Sequence, residues 1–323
     1  MSDTPDHSAR SPHGFVRFVR IAIPFAISAA LFAYLFSRID VRAVADAVTT
    51  SIALRWALPL VMFNLITLAI ESHCLHRVAV ASGRPLDHWT AARIKAACYL
   101  LSILNYVIGG AGLSVLLRRR AGLGLAAAAS MVFLIALFDI GAVLGMAALG
   151  AGFLQSDALG IRIGLIGSMI AAILAGFLFL RVPTRFARLE TIRLLDVFRA
   201  PRTASISLLL TLGTLRTIFV LCYVALTGAL LWAFEIEVGP IRLALNVAIM
   251  LAVSALPIAA GGLGTGQLAF VELYRGLAPE AELLAASLVF SFGLILTRAL
   301  LGAAFALEFT QEALNAAKDE PDT

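Results

Sequence analysis

Two glycine clusters interrupt otherwise apolar sequence. Gly109-Gly110-Ala111-Gly112 and Gly261-Gly262-Leu263-Gly264 lie 152 residues apart. Each sits inside a long hydrophobic stretch and is followed by a run that can form a second half-helix, starting near Leu113 and near Thr265. Backbone that leaves the helix inside hydrocarbon must be buried in protein or line a watery cavity. Paired breaks at matching places in two halves of a chain point to a binding site between inverted repeats, which makes a transporter the leading reading. The competing reading is that the glycines are close-packing positions in continuous helices, as is common in membranes.

Composition settles the broad class. Of 323 residues, 61% are hydrophobic and 14% charged, against about 25% charged in an ordinary soluble domain. With a mean hydropathy of +0.95, the chain reads as an all-α polytopic membrane protein. Residues 1–14 and 311–323 read as short disordered cytoplasmic tails around one transmembrane domain over 15–310. The net charge of +5 sits at the ends of apolar segments, which fits anionic lipid and topology better than nucleic acid. Cys74, Cys98 and Cys222 are scattered, which argues against a disulfide framework or a zinc site. The only lysines, Lys95 and Lys318, lie in no P-loop, and no zinc-protease or nucleophile-elbow motif occurs. No cofactor, metal or catalytic residue is therefore expected.

Apolar segments run at 15–36, 56–76, 91–117, 123–150, 161–182, 204–234, 241–275 and 281–308. About 20 residues cross a bilayer core, so all eight are candidate spans. Residues 21–36 also admit a signal-peptide reading, since Arg17 and Arg20 precede them. Charge chooses between topologies. With eight spans the Lys and Arg divide 10 against 13 between the two sides, which discriminates nothing. If 91–117 and 241–275 are re-entrant hairpins turning at their glycines, 17 fall on the cytoplasmic side and 6 outside. Arg216 and Arg298 stay within the membrane and complete the 25. The positive-inside rule prefers this arrangement. Six full spans and two re-entrant hairpins then form an inverted repeat of three spans each, with halves 15–150 and 161–308 and both termini cytoplasmic.

Between the halves, residues 183–202 read as a basic interfacial helix. Phe186, Leu189, Ile192, Leu195 and Phe198 fall on one face, and Arg185, Arg188, Arg193 and Arg199 outnumber Glu190 and Asp196. Such a helix lies on an anionic leaflet; a plain topological connector is the equal alternative.

Three ionisable residues fall mid-span: Asp139, Arg216 and Arg298. Each is costly in lipid and should face the interior beside a partner. Two arginines against one aspartate leave one positive charge over. A phosphate neutralises it, and arginine's fork suits phosphate oxygens. A structural Asp–Arg pair, with the second arginine reaching water or a carbonyl, is the competing reading. The half-helix N-termini add a positive field, and Asn105, Ser114, Thr265 and Gln267 are candidate side-chain donors. Asp139 also stands as a proton-coupling candidate. Glu71, His73, Cys74 and His76 resemble a metal cluster on paper, but polar residues ending the second span explain them more simply.

These motifs carry a resemblance. Leu256 to Gly264, including Pro257, Gly261, Gly262 and Gly264, resembles the second signature of the flippase-like membrane family related to the transmembrane region of lysylphosphatidylglycerol synthases. Asn105 to Gly112 followed by Arg118 resembles the first signature, and Asp139 matches an aspartate in the following helix. The resemblance covers about residues 15–310. The chain departs from it at Gln267, where many members carry glutamate. It departs also at Val107-Ile108, where many have proline, and at Ile135 and Ala136, where a charged residue is usual.

The resemblance implies the lipid-moving part alone, without the soluble domain that attaches an amino acid to phosphatidylglycerol. Relatives are associated with aminoacylated phospholipids, polyprenyl-phosphate-linked sugars and hopanoids. The expectation is thus a flippase of the bacterial inner membrane. Arg216 and Arg298, with the two glycine turns, hold a lipid phosphate, and Asp139 orients an arginine. Its partners are membrane lipids (an anionic phospholipid, a polyprenyl-phosphate lipid or a hopanoid) and, in addition, a lipid-synthesis enzyme. An intramembrane lipid-modifying enzyme and a scaffold for a lipid-modifying complex are the alternatives.

Overall fold

A computed structural model describes residues 29–319 apart from 30, 32, 38, 85, 105, 154–166, 168–170, 172–174, 177, 184 and 256–262. The expected spans at 15–36 and 161–182 therefore lie largely outside the described residues. So do the first tail, residues 320–323, Asn105, Pro257, Gly261 and Gly262. The described residues are helical and contain no strand. The elements are α1 (Val41–Asp46), α2 (Thr50–Ala81), α3 (His88–Leu104), α4 (Tyr106–Ala121), α5 (Leu125–Phe153), α6 (Ala187–Arg193), α7 (Arg199–Thr203), α8 (Ile206–Ala233), α9 (Pro240–Ala255), α10 (Thr265–Tyr274) and α11 (Glu280–Asp319).

Within these elements, Thr50–Ala81, Leu125–Leu149, Ile206–Ala233 and Glu280–Phe305 are long and apolar enough to cross a membrane. Helix α2 shows how the sequence sorts its faces. Leu54, Leu58, Met62 and Leu65 recur at helical spacing and are exposed, Leu54 at 71%. Trp56, Leu60, Phe63, Asn64, Thr67 and Glu71 lie buried on the other side. An outward row of large apolar side chains is a liability in water but is what lipid requires. The polar residues of the inner face are satisfied locally: Asn64 donates to Leu60 O at 2.8 Å and Thr67 to Phe63 O at 2.7 Å. This is a membrane protein.

Caps set the helix starts. Thr49 Oγ1 accepts from Ile52 N and Ser205 Oγ from Leu208 N. Asp87 Oδ1 accepts from Thr90 N at 2.9 Å, satisfying one of the orphan amides that open α3. Helix α10 starts at Thr265, where the sequence places it, and Gly264 before it adopts φ 90°. That left-handed backbone suits a residue without Cβ. Gln267 then reaches back, its Oε1 accepting from Gly264 N at 2.6 Å.

The first glycine cluster behaves differently from expectation. The chain is helical from Tyr106 through Gly109, Gly110 and Gly112, so the half-helix starts well before Leu113 and these glycines form no turn. They serve close approach instead. A Cβ on Gly109 would sit 2.1 Å from Ser102 Oγ and 2.9 Å from Ser102 Cα, and one on Gly112 would meet Leu101 Cδ1 at 2.3 Å. Helices α3 and α4 pack side by side through that seam. The packing reading of this cluster is the one the geometry carries.

The segment 183–202 is likewise not one helix. It breaks into α6, a 3-10 turn at Asp196–Phe198, and α7. Phe186, Leu189, Ile192 and Leu195 are exposed, whereas Phe198 packs edge-on against Phe133 with centroids 5.3 Å apart. Arg193 is buried, paired with Glu190, and Arg202 donates to Arg193 O at 2.7 Å. Two of the basic residues thus hold the break together.

The buried apolar residues form two cores. One gathers Trp56, Leu60 and Phe63 of α2, Leu226 and Leu230 of α8, Phe270 of α10, and Leu283 and Phe290 of α11. The other gathers Cys74, Leu75 and Val78 of α2, Ile94 and Cys98 of α3, Leu117 of α4, Met131 of α5, and Leu208 and Leu212 of α8. Along α2 and α8 alike, one stretch belongs to each core. Glu71 and Arg216 fall at the joint.

Candidate functional site

Charge collects where the two cores meet. Arg216, only 1% exposed, lies with Nη1 3.0 Å from Asp139 Oδ1 and 3.9 Å from Glu71 Oε1. Glu71 Oε1 also takes Lys95 Nζ at 2.9 Å, and its Oε2 accepts from the Tyr99 hydroxyl at 2.5 Å. Arg298 completes the group from α11. Its Nη2 donates to Tyr223 Oη at 2.6 Å, and its guanidinium stands over the Tyr99 ring, 5.3 Å from the centroid. Tyr223 is held in turn by edge-on contacts with Phe63 and Phe219. Side chains from α2, α3, α5, α8 and α11 therefore meet in one network.

Helix lengths give the depth. Glu71 precedes the end of α2 by ten residues, and Arg216 follows the start of α8 by ten. At 1.5 Å per residue each lies about 15 Å inside its helix end. Both groups therefore sit well within their helices and not at the ends.

Of the residues singled out by sequence, Asp139 and Arg216 meet directly, and Arg298 joins them through Tyr99 and Glu71. Ser114 donates within its own helix, to Gly110 O at 2.9 Å. Gln267 is buried and donates to Ser291 Oγ at 2.8 Å while capping Gly264, so its polar atoms secure the start of α10. Thr265 opens that helix.

Four members are not evident from sequence: Glu71, Lys95, Tyr99 and Tyr223. Hydropathy ends the second span at residue 76 and puts Glu71 near its edge, but α2 continues to Ala81. Asp139 is accordingly not the only carboxylate at this depth. The polar series Asn64, Thr67, Glu71 on one helical face is the available signal, as is the i,i+4 pair Lys95 and Tyr99. The paper metal cluster also dissolves. Glu71 belongs to the charge network, His73 Nδ1 faces His88 Nε2 at 3.1 Å, and His76 Nδ1 meets Leu86 O. Among the described residues no group of three such ligands suits a metal ion.

Comparison with known families places this arrangement. The profile of the lysylphosphatidylglycerol synthase transmembrane region matches residues 21–302. The chain belongs to that family. The matched stretch includes every member of the charge network, so the network lies within the domain that defines the lysylphosphatidylglycerol synthase transmembrane family. No curated protein and no solved structure matches the chain. Membership ties this membrane protein to lipid-related function.

Proposed function

We propose that this protein is a lipid flippase, moving a phosphate-bearing lipid between the leaflets of the bacterial inner membrane by alternating access. The observation that carries the reading is the buried network of three cations and two carboxylates, whose formal sum is one positive charge. An uncompensated cation at mid-membrane depth is expensive unless an anion arrives to neutralise it. A phosphate headgroup is such an anion, and it can enter between helices while its tails stay in lipid.

The proposed architecture is six spans and two re-entrant hairpins in an inverted repeat. The side-by-side packing of α3 with α4, and of α9 with α10, supports it. So does the positive-inside distribution, 16 against 6 once Lys95 is counted with the network. Rocking of one repeat against the other would expose the network to each leaflet in turn. No energy-coupling element is required if lipid synthesis or removal drives exchange. An intramembrane enzyme needs a carboxylate available to accept a proton, and Glu71 and Asp139 are each engaged by a cation. A scaffold would make the network dispensable.

The test is flipping of fluorescent anionic and zwitterionic phospholipids in liposomes holding the purified protein. Arg298→Ala and Arg216→Ala are expected to abolish movement of the anionic probe while still inserting. Unchanged movement in both variants would sink the proposal.

A further inference from the structure

The five charges of the network are not equivalent. Lys95 is paired with Glu71, and Arg216 with Asp139. Arg298 makes no ion pair within 4.0 Å among the described residues. Its neighbours are a neutral hydroxyl and an aromatic face, from Tyr223 and Tyr99. Its Nε is buried and donates to nothing among the described residues. A buried donor on a guanidinium with no carboxylate in contact among the described residues has a definite chemical preference: it wants an oxyanion. The surplus charge of the network therefore resides on one residue, and it is a single charge.

We propose that Arg298 is the headgroup contact and that the site is matched to a singly charged phosphodiester lipid, discriminating against phosphomonoester lipids. This rests on the flippase reading. One diester phosphate brings the buried sum to zero. A monoester dianion leaves one negative charge uncompensated in a low-dielectric site, which costs far more than the same charge in water. The Tyr99 ring adds a second filter. One of its faces already holds a cation, which leaves at most the other for a second cation such as a choline headgroup. The Glu71–Lys95 pair sets the balance. It contributes no net charge itself, yet losing either member moves the sum by one unit.

The experiment follows movement of fluorescent phosphatidylglycerol and phosphatidic acid in liposomes containing the full-length protein, and reads the ratio of the two rates. A ratio measured in one preparation is independent of the folded fraction, so a partly unfolded variant does not obscure it. The wild type is expected to favour phosphatidylglycerol on the order of tenfold. Glu71→Gln raises the surplus to two and is expected to shift the ratio toward phosphatidic acid. Lys95→Gln removes the surplus and is expected to slow both anions. The double variant Glu71→Gln, Lys95→Gln restores one surplus charge and is expected to return the ratio toward the wild-type value, which a purely structural role for the pair would not do. Arg298→Gln is expected to lose both probes.

Equal movement of the two lipids by the wild type, or a ratio indifferent to Glu71→Gln, overturns the charge-matching inference and leaves the flippase reading standing. No movement of any lipid by the wild type overturns both. Uptake of labelled inorganic phosphate by liposomes that move no lipid would assign the site to the free ion instead and overturn the headgroup contact.

Discussion

Gly109 and Gly110 are adjacent in sequence but face different surroundings, and substituting each by alanine separates packing from propensity. Among the described residues, a Cβ on Gly110 meets only Val132 Cγ1, at 3.6 Å, which is ordinary van der Waals spacing. A Cβ on Gly109 meets Ser102 Oγ at 2.1 Å, and Ser102 Cα and Cβ at 2.9 Å. The hydroxyl can rotate away, but the backbone carbon cannot, so α3 and α4 must part by several tenths of an ångström. Both changes gain about 1 kcal/mol of helix propensity. Overpacking costs about 1–3 kcal/mol, and a clash with backbone belongs at the upper end. Gly109→Ala is then destabilising by about 2 kcal/mol and Gly110→Ala neutral to stabilising by about 1 kcal/mol, a difference of about 3 kcal/mol between neighbours. Thermal unfolding of the detergent-purified protein should show a clear drop for the first and none for the second. Adding Ser102→Ala should rescue Gly109→Ala only in part, because the clash with the backbone of residue 102 survives the loss of the hydroxyl. Equal behaviour of the two variants would refute the seam and return the cluster to a turn.

Three further outcomes follow from the structure. Tyr223→Phe removes the hydroxyl that accepts from Arg298. A hydrogen bond to a charged group is worth about 1.5–3 kcal/mol, so thermal unfolding should shift down by a comparable amount and, on the flippase reading, initial rates should fall with it. Gln267→Leu strips the cap on Gly264 and the bond to Ser291 and should destabilise the protein by about 1–3 kcal/mol in thermal unfolding. Gln267→Glu retains an acceptor for both Gly264 N–H and the Ser291 hydroxyl and should be milder. At Asp87, hydrogen bonds from Thr90 hold the carboxyl below its ordinary value of 3.8. A depressed carboxylate contributes stability above the unfolded value that is lost as pH falls through the folded one. Amide exchange at Thr90 should therefore accelerate beyond its intrinsic pH trend below pH 3.8, and Asp87→Asn, which caps without titrating, should flatten that response.

Asp139, Arg216 and Arg298 are legible because each interrupts an apolar run, and insertion cost alone says that such a residue is buried and partnered. Their partners are harder to see. Glu71 stands in the run Glu71-Ser72-His73-Cys74, which has the polarity of a helix end, and Lys95 stands among the polar residues after Arg84. In both places local polarity imitates an interface, and only the observed pairing and burial bring these groups into the bundle. The glycines pose a different ambiguity. Positive φ and close approach both demand the absence of Cβ, so sequence finds the position without saying which need it meets. At Gly264 it is the dihedral; at Gly109 it is the neighbour. The broken segment 183–202 is obscured because apolar residues at i, i+3 spacing suit consecutive short turns as well as one helix.

Glu71 Oε1 stands 2.9 Å from Lys95 and 3.9 Å from Arg216, while Arg216 keeps Asp139 at 3.0 Å. Two carboxylates on different helices thus share one guanidinium, at distances that differ by about an ångström. A movement that drew Arg216 fully onto Glu71, which already holds Lys95, would take from Asp139 the cation it faces here. The charge that ties α8 into the bundle is thus divided between α2 and α5, so the place of that helix is set by two neighbours at once.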